Sequence, residues 1–90
     1  MSDAARRFSD ADLGRIQEIQ TVIDCECPNH IAEVLQSLVA FEAYSARCSS
    51  KNDADAQMHA KLHQLTQQAR VIMEGAMADL LVYEKIELSA

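Results

Sequence analysis

The longest uninterrupted helical pattern in the chain, residues 54–87, sets the strongest limit on its fold. It contains no proline, and its apolar side chains alternate spacings of three and four residues, close to a coiled-coil heptad. At 1.5 Å per residue such a helix spans about 50 Å. A chain of 90 residues makes one domain, so that domain must form around one long helix. The repeating residues are Met58, Leu62, Leu65, Ala69, Ile72, Ala76, Leu80 and Tyr83.

Two breaks divide the rest of the chain into shorter helices. Pro28 is the only proline; it cannot continue a helix, but it can start one. The second break is the polar stretch SSKNDADA, where Ser50, Asn52 and Asp53 are candidate N-caps. We expect helix 1 at about 10–24 with Ser9 as its N-cap, helix 2 at about 28–48 and helix 3 at about 54–87. The prediction is one all-α domain over residues 1–90, an antiparallel three-helix bundle.

The unequal helix lengths predict a partner for helix 3. Helices 1 and 2 would span only about 22 Å and 30 Å, which leaves an apolar overhang near residues 77–88. An exposed apolar surface of this kind is an interaction site, so we expect a homodimer or another protein partner. The alternative is a kink near Gly75 that folds helix 3 back. The predicted partner face consists of Met77, Leu80, Leu81 and Tyr83.

Composition narrows the class of function. The net charge is −6 and the eight Lys and Arg residues are scattered, so no basic surface is expected to bind nucleic acid directly. No stretch approaches the ~20 apolar residues of a membrane span, and a cytoplasmic location with no membrane partner is the expectation. In a reducing compartment the three cysteines are thiols or ligands. The chain lacks a Gly-rich phosphate loop, a nucleophile elbow and HExxH, so we do not expect an enzyme.

The stretch DCECPNH at the first break carries a candidate metal site. Cys25, Cys27 and His30 are close in sequence, and the chain turns there. Thiolate and imidazole ligands together favour zinc or another transition metal. A structural zinc site needs four ligands, so Asp24, Glu26, a water molecule or a second subunit would have to complete the set.

A second cluster is predicted at the opposite end of helix 2. Cys48 lies about 30 Å along that helix from Cys27, near the point where helix 3 begins. His59 and His63 occupy one face of helix 3 at i and i+4. Cys48, His59 and His63 therefore form a candidate second metal site. The alternative is a buried Cys48 beside two solvated histidines.

Three other interpretations apply to the first motif. The Cys27-Pro28 dipeptide is typical of haem regulatory motifs, in which His30, Met73 or Met77 would supply a second axial ligand. Alternatively, Cys27 is a redox-active thiol, because an N-cap position lowers a thiol pKa. In the third, Cys27 only caps helix 2 and nothing is bound.

The stretch CECPNHIAEVLQSLVAFEAYSARC, continuing to DADAQMHAKLHQ, resembles the C-terminal effector segment of certain bacterial MerR-type transcription regulators. The shared elements are the CxCPxH opening, an AFExYSxxC helix and a DAxxHxxLH helix start, over about residues 25–75. The resemblance implies a sensor of a small ligand or metal. The sequence contains no winged helix-turn-helix, so the expectation is a free-standing module that modulates other regulators through helix 3. The implied motif positions are Cys25, Cys27, His30, Cys48, His59 and His63.

The sequence thus predicts a small sensor or regulatory module that binds a transition metal and acts on a protein partner. A ligand-free adaptor or inhibitor is the alternative from another functional class. A haem or thiol redox sensor is the alternative at the same Cys-Pro motif.

Overall fold

Three helices make up the computed structural model, which describes residues 4–19 and 25–88. Helix α1 is Asp10–Glu18, α2 is Cys27–Arg47 and α3 is Asp53–Tyr83. No strand occurs in the described ranges, and the predicted all-α class is confirmed. The predicted helix 1 extends to residue 24; in the structure α1 ends at Glu18 with Ile19 as its C-cap, and residues 20–24 lie outside the described ranges.

Local capping interactions explain where two of the helices begin. Ser9 is the N-cap of α1, as predicted: its Oγ accepts from the Asp12 N–H at 3.0 Å, and Asp12 Oδ2 accepts from the Ser9 N–H at 3.0 Å. Asn52 is the N-cap of α3 and accepts from the Asp55 N–H at 2.8 Å. In α2 the N-cap is Glu26, without a side-chain cap bond, and Pro28 lies in the first turn.

The apolar core lies where α1 and the first half of α2 meet the last turns of α3. Partly buried apolar side chains, among them Met73 and Leu88, pack around it. The buried line of α3 includes Arg70 and Glu74 as well as its apolar residues, so the core is apolar at one end and polar further along the helix. The buried apolar residues are Phe8, Leu13, Ile16, Ala32, Leu35, Met77 and Leu81.

A buried ion cluster, Glu42, Arg70 and Glu74, joins α2 to α3. The Arg70 side chain is 1% exposed; its Nε donates to Glu42 Oε1 at 2.6 Å, and its Nη1 donates to both Glu74 carboxylate oxygens at 3.1 Å. The hydrogen bonds to Glu42 raise the pKa of Arg70. Burial raises the pKa of Glu42, but hydrogen bonds from Arg70 and Gln67, with the charge of Arg70, lower it, and the pKa lies below its ordinary value. Glu42 and Arg70 are therefore both charged at neutral pH.

The same cluster holds the residues that precede α1. Arg70 Nη2 donates to the Ala4 carbonyl oxygen at 2.7 Å, and Nη1 donates to that of Ala5 at 3.3 Å. Glu74 Oε2 accepts from the Arg7 N–H at 2.9 Å. Phe8, next along the chain, is buried in the core. Residues 4–8 are thus fixed against α3 before α1 begins.

The end of α3 is covered by its own chain. α3 is continuous through Gly75, and after Tyr83 the backbone turns at Lys85, whose φ is 58°. The Ile86 N–H then donates to the Leu81 carbonyl oxygen at 2.9 Å, the pattern of a Schellman motif. Ile86 and Leu88 return to pack on the core. Only the last part of the expected overhang near residues 77–88, the residues after Tyr83, is therefore folded back by this turn, and Tyr83 itself stays exposed.

Lys85→Gly is expected to stabilise the protein. A side chain in the left-handed region costs about 1 kcal/mol or more, whereas glycine adopts it freely. We expect the free energy of unfolding, measured by urea denaturation, to rise by about 1 kcal/mol. Ala60→Gly, at an exposed position inside α3, is the matched control and should lower it by about 1 kcal/mol. A loss of stability in Lys85→Gly would show that the lysine side chain stabilises the turn.

Candidate functional site

The predicted site at the first motif is open in the structure. Cys25 and Cys27 are both exposed, and the Cys27 N–H donates to Cys25 Sγ at 3.4 Å. The His30 side chain is exposed, and its Nδ1 lies 4.0 Å from Glu33 Oε2. The two thiols are therefore neighbours, while the described contact of the imidazole is with the next turn of its own helix.

The pKa of Cys27 does not match that of an activated thiol. A side-chain hydrogen bond with Cys25, followed by the charge of that neighbouring sulfur, raises the pKa of Cys27 above its ordinary value. Cys27 also lies one position inside α2, because Glu26 is the N-cap. A raised pKa leaves less thiolate at neutral pH, the opposite of what the redox-thiol interpretation requires.

Of the predicted second haem ligands, the two methionines lie in or against the core, while His30 is exposed. Met77 is fully buried, and Met73 is partly buried against the core. A methionine sulfur that reaches a haem at Cys27 would have to leave this packing. The structure gives no support to a haem with a Met77 ligand.

Cys48 and His59 are brought together, as the sequence predicted for the second cluster. Cys48 is the C-cap of α2, and its Sγ lies 3.7 Å from His59 Nε2. The same Nε2 lies 3.5 Å from Asp55 Oδ1, one turn earlier on α3. The sulfur, the imidazole nitrogen and the carboxylate oxygen thus meet where α2 ends and α3 begins. We call Cys48, Asp55 and His59 the corner site.

Neighbouring polar groups orient the corner site. His59 Nδ1 lies 3.2 Å from Ser50 Oγ, and a proton on Nδ1 would donate to that hydroxyl and leave the Nε2 lone pair toward Cys48 and Asp55. Asp55 Oδ2 accepts from the Lys51 N–H at 3.0 Å, which leaves Oδ1 on the His59 side. The Nε2 lone pair of His59 then faces the Cys48 sulfur and an Asp55 carboxylate oxygen, and either the thiol proton of Cys48 or a bound cation would satisfy it.

His63 lies on the same face of α3 but contacts α2 instead of the corner site. Its Nδ1 lies 2.9 Å from the Glu42 carbonyl oxygen and 3.4 Å from the hydroxyl of the buried Ser45. The bond to a carbonyl requires the proton on Nδ1. His63 therefore joins α3 to α2 at the backbone of Glu42, one turn along α3 from the corner site.

An open cleft of about 610 Å³ lies beside these residues. Its walls carry both imidazoles, the Cys48 sulfur and the amides of Gln64 and Gln67. Because the rest of the lining is mostly small, with three alanines and two serines beside Gln68, the polar groups are accessible to a small ligand. The cleft gives an entry path to the corner site.

Within the described ranges, no three or more His, Cys, Asp or Glu side chains form a group placed to hold a metal ion. The corner site comes nearest, with two ligand atoms within 3.7 Å of His59 Nε2. Sequence analysis did not identify Asp55 or Ser50 as parts of it. The signal was present: Asp55 and His59 are at i and i+4, and Ser50 lies between Cys48 and α3.

The predicted partner face is divided in the structure. Met77 and Leu81 are buried in the core of the monomer, Leu80 is half-buried, and Tyr83 is 80% exposed. A buried side chain cannot contact a partner without unfolding part of its own domain. The exposed part of that face is therefore limited to the side of α3 that carries Tyr83.

Comparisons with protein-family models, with curated proteins and with solved structures find no match. In the described part of the chain, no helix has the length and apolar character needed to cross a membrane.

Proposed function

We propose that the chain is a small regulatory module whose activity responds to a transition metal, zinc in the first place, bound at the corner site. The observation that carries the proposal is the position of Cys48 Sγ and Asp55 Oδ1 at 3.7 Å and 3.5 Å from His59 Nε2. The module would act in the cytoplasm, where the thiol stays reduced. Its likeness to MerR-type effector segments makes transcription regulators the proposed class of partner.

The distances suit shared coordination of one ion. With a Zn–S bond of about 2.3 Å and a Zn–N bond of about 2.05 Å, tetrahedral geometry puts sulfur and nitrogen about 3.6 Å apart, and nitrogen and oxygen about 3.4 Å apart. The observed distances are 3.7 Å and 3.5 Å. A ligating histidine usually donates a hydrogen bond from its other ring nitrogen, and here His59 Nδ1 would donate to Ser50 Oγ, 3.2 Å away. A water molecule from the open cleft would be the fourth ligand.

Binding there would connect the metal to the packing of α3. The corner site joins the C-cap of α2 to the first two turns of α3, so an ion would fix the angle at which the two helices leave the loop. Contacts of Glu42 with Arg70, and of Cys48 with His59, support an antiparallel arrangement of α2 and α3. Met58, beside His59, is exposed on the outer face of α3. The module would form a homodimer through that face.

Cobalt binding tests the metal proposal. Co²⁺ bound through a thiolate absorbs in the visible, and we expect protein purified without metal to show this absorption on titration. Cys48→Ala should abolish it. Ser50→Ala, which removes only the support of the His59 ring, should weaken binding by about tenfold. The zinc content of protein purified without chelator, measured by elemental analysis, should fall in the same order: highest in the wild type, lower in Ser50→Ala and absent in Cys48→Ala.

The matched control is Cys25→Ser with Cys27→Ser, which leaves the corner site intact and should bind Co²⁺ like the wild type. If Co²⁺ binding is lost in the Cys25→Ser, Cys27→Ser variant and retained in Cys48→Ala, the metal site is instead at Cys25, Cys27 and His30. If the wild type binds neither Co²⁺ nor zinc, the metal proposal fails.

A second candidate is a ligand-free adaptor or inhibitor. It is favoured by the apolar residues on the outer face of α3, which α2 does not cover. This candidate predicts that a variant with all three cysteines replaced by serine binds its protein partner as the wild type does. The metal-responsive module predicts partner binding that changes when the metal is removed by a chelator.

A further inference from the structure

The face of α3 opposite its buried line carries large apolar side chains. The buried line runs through Arg70, Glu74, Met77 and Leu81. On the opposite side, Met58 is 51% exposed, Leu65 is 49%, Ile72 is 71% and Val82 is 79%. A helix face that meets only water is normally polar. Four large apolar residues along one outward line therefore indicate a partner.

The outward line has a heptad order. Its first set, at every seventh residue, is Met58, Leu65, Ile72 and Asp79, and the intervening set is Lys61, Gln68, Gly75 and Val82. Spacings of three and four residues keep both sets on one face and form the seam of a coiled coil. Besides Gly75, the seam has one polar residue near its middle, Gln68, and one charged residue toward each end, Lys61 and Asp79.

The seam is complementary to itself in the reverse direction. When one α3 is laid antiparallel on a second α3 about residue 70, each member of one set faces a member of the other. Met58 then meets Val82, Leu65 meets Gly75, and Gln68 meets Ile72. Lys61 meets Asp79, which pairs opposite charges twice in each dimer. A parallel arrangement would instead place Lys61 against Lys61 and Asp79 against Asp79, which is repulsive.

Gly75 gives a second, independent observation. It lies inside a long helix, where glycine is less favourable than alanine by about 1 kcal/mol. Within the monomer a Cβ at Gly75 would meet nothing within 4 Å, so no contact inside the chain explains why this position is glycine. A second helix whose backbone packs closely against Gly75 would explain it. In the antiparallel register that approach places the large Leu65 side chain over Gly75.

We infer that the chain forms a two-fold symmetric homodimer in which the two α3 helices pack antiparallel about residue 70. This inference rests on the homodimer in the proposed function and adds its direction, register and paired residues. It is independent of the metal, so the dimer is expected with or without an ion at the corner site.

Charge reversal combined with sedimentation equilibrium tests the register. We expect the wild type to be a dimer in the presence of a chelator. Lys61→Asp and Asp79→Lys should each raise the dissociation constant of the dimer by about tenfold, because each places two like-charged pairs in the interface. The double variant, Lys61→Asp with Asp79→Lys, exchanges the charges and should return the constant to near the wild-type value.

Gly75→Ala separates the interface from the fold. We expect a more stable monomer, by the helix propensity of alanine, together with a weaker dimer. A wild type that remains monomeric would overturn the dimer while leaving Co²⁺ binding untouched. A dimer whose double charge variant stays as weak as the single variants would overturn the antiparallel register but keep the dimer. A Gly75→Ala dimer that is tighter than the wild type would also contradict close contact at this position.

Discussion

Arg70→Ala is expected to lower the free energy of unfolding by about 3–5 kcal/mol, a large share of the stability of a small domain. The change leaves the carboxylates of Glu42 and Glu74 without their common cation, and it releases the carbonyl groups of Ala4 and Ala5. Urea denaturation followed by circular dichroism measures the loss. Arg47→Ala removes an exposed arginine from α2 and should change the stability by no more than about 0.5 kcal/mol.

The difference between wild type and Arg70→Ala should depend on pH. In the wild type the pKa of Glu42 is lowered in the folded state. The ionised Glu42 side chain therefore stabilises the fold fully above its ordinary pKa of about 4.3. This contribution is lost as the pH falls through the lowered pKa. Without Arg70 the strongest opposing hydrogen bond is gone, while burial still raises that pKa. The difference between the two stabilities should therefore shrink as the pH falls through the lowered pKa of Glu42, and the part that comes from the hydrogen bonds to the Ala4 and Ala5 carbonyl groups should remain. A constant difference from pH 7 to pH 3 would contradict a charged Glu42 in the wild-type cluster.

Met77→Ala is the second large expected effect. Met77 is fully buried among the core side chains, and truncation of a buried methionine costs about 2–5 kcal/mol through lost burial and the cavity left behind. We expect a loss of about 3 kcal/mol, measured at a protein concentration at which the chain is monomeric. The loss should not depend on metal.

Val82→Ala is the matched control for Met77→Ala, because both residues lie on α3 and Val82 is 79% exposed. In the monomer it should change stability by no more than about 0.5 kcal/mol, and its effect should appear only in dimer association. The opposite pattern, with Met77 tolerant and Val82 sensitive in the monomer, would place Met77 on the partner face that the sequence predicts.

Capping residues and proline predict where the helices begin, but they do not predict which face of α3 is buried. Ser9 and Asn52 are strong N-caps, and Pro28 is favourable in the first turn of a helix but not inside one. The first residues of the helices therefore follow from interactions between near neighbours in sequence. The heptad pattern of α3 identifies its apolar residues, but Met58 and Ile72 point away from α2, while Arg70 and Glu74 are buried. Periodicity treats charged residues as exposed, and it cannot detect an arginine and two glutamates that satisfy one another across two helices.

The candidate site shows the same limit. Cys48 and His59 could be paired from the sequence, since the end of one helix and the start of the next are separated only by a short loop. Asp55 and Ser50 join them through side-chain rotamers and a backbone N–H contact at Lys51, which a spacing rule does not contain. At the first motif, Cys25 and Cys27 are neighbours, but the described contact of His30 is with Glu33 on the next turn of α2, a rotamer choice that the spacing does not reveal.

The proposed metal and the proposed dimer share one element. The corner site fixes the first turns of α3, and the outward seam begins in those same turns at Met58. An ion at Cys48 and His59 would therefore order one end of the interface, where Met58 meets Val82 of the second copy. The metal would tune the strength of association without being required for it.

The attachment of residues 4–7 to the buried cluster is made by peptide groups alone: two carbonyl oxygens and one N–H. Recognition of this kind is indifferent to the identity of the amino acids that present those groups. Residues 4–7 could therefore be replaced by nearly any short sequence without weakening this attachment, provided that no proline replaces Arg7, whose N–H is the donor. The buried side chain of Phe8 and the capping side chain of Ser9 follow directly and do not share this tolerance.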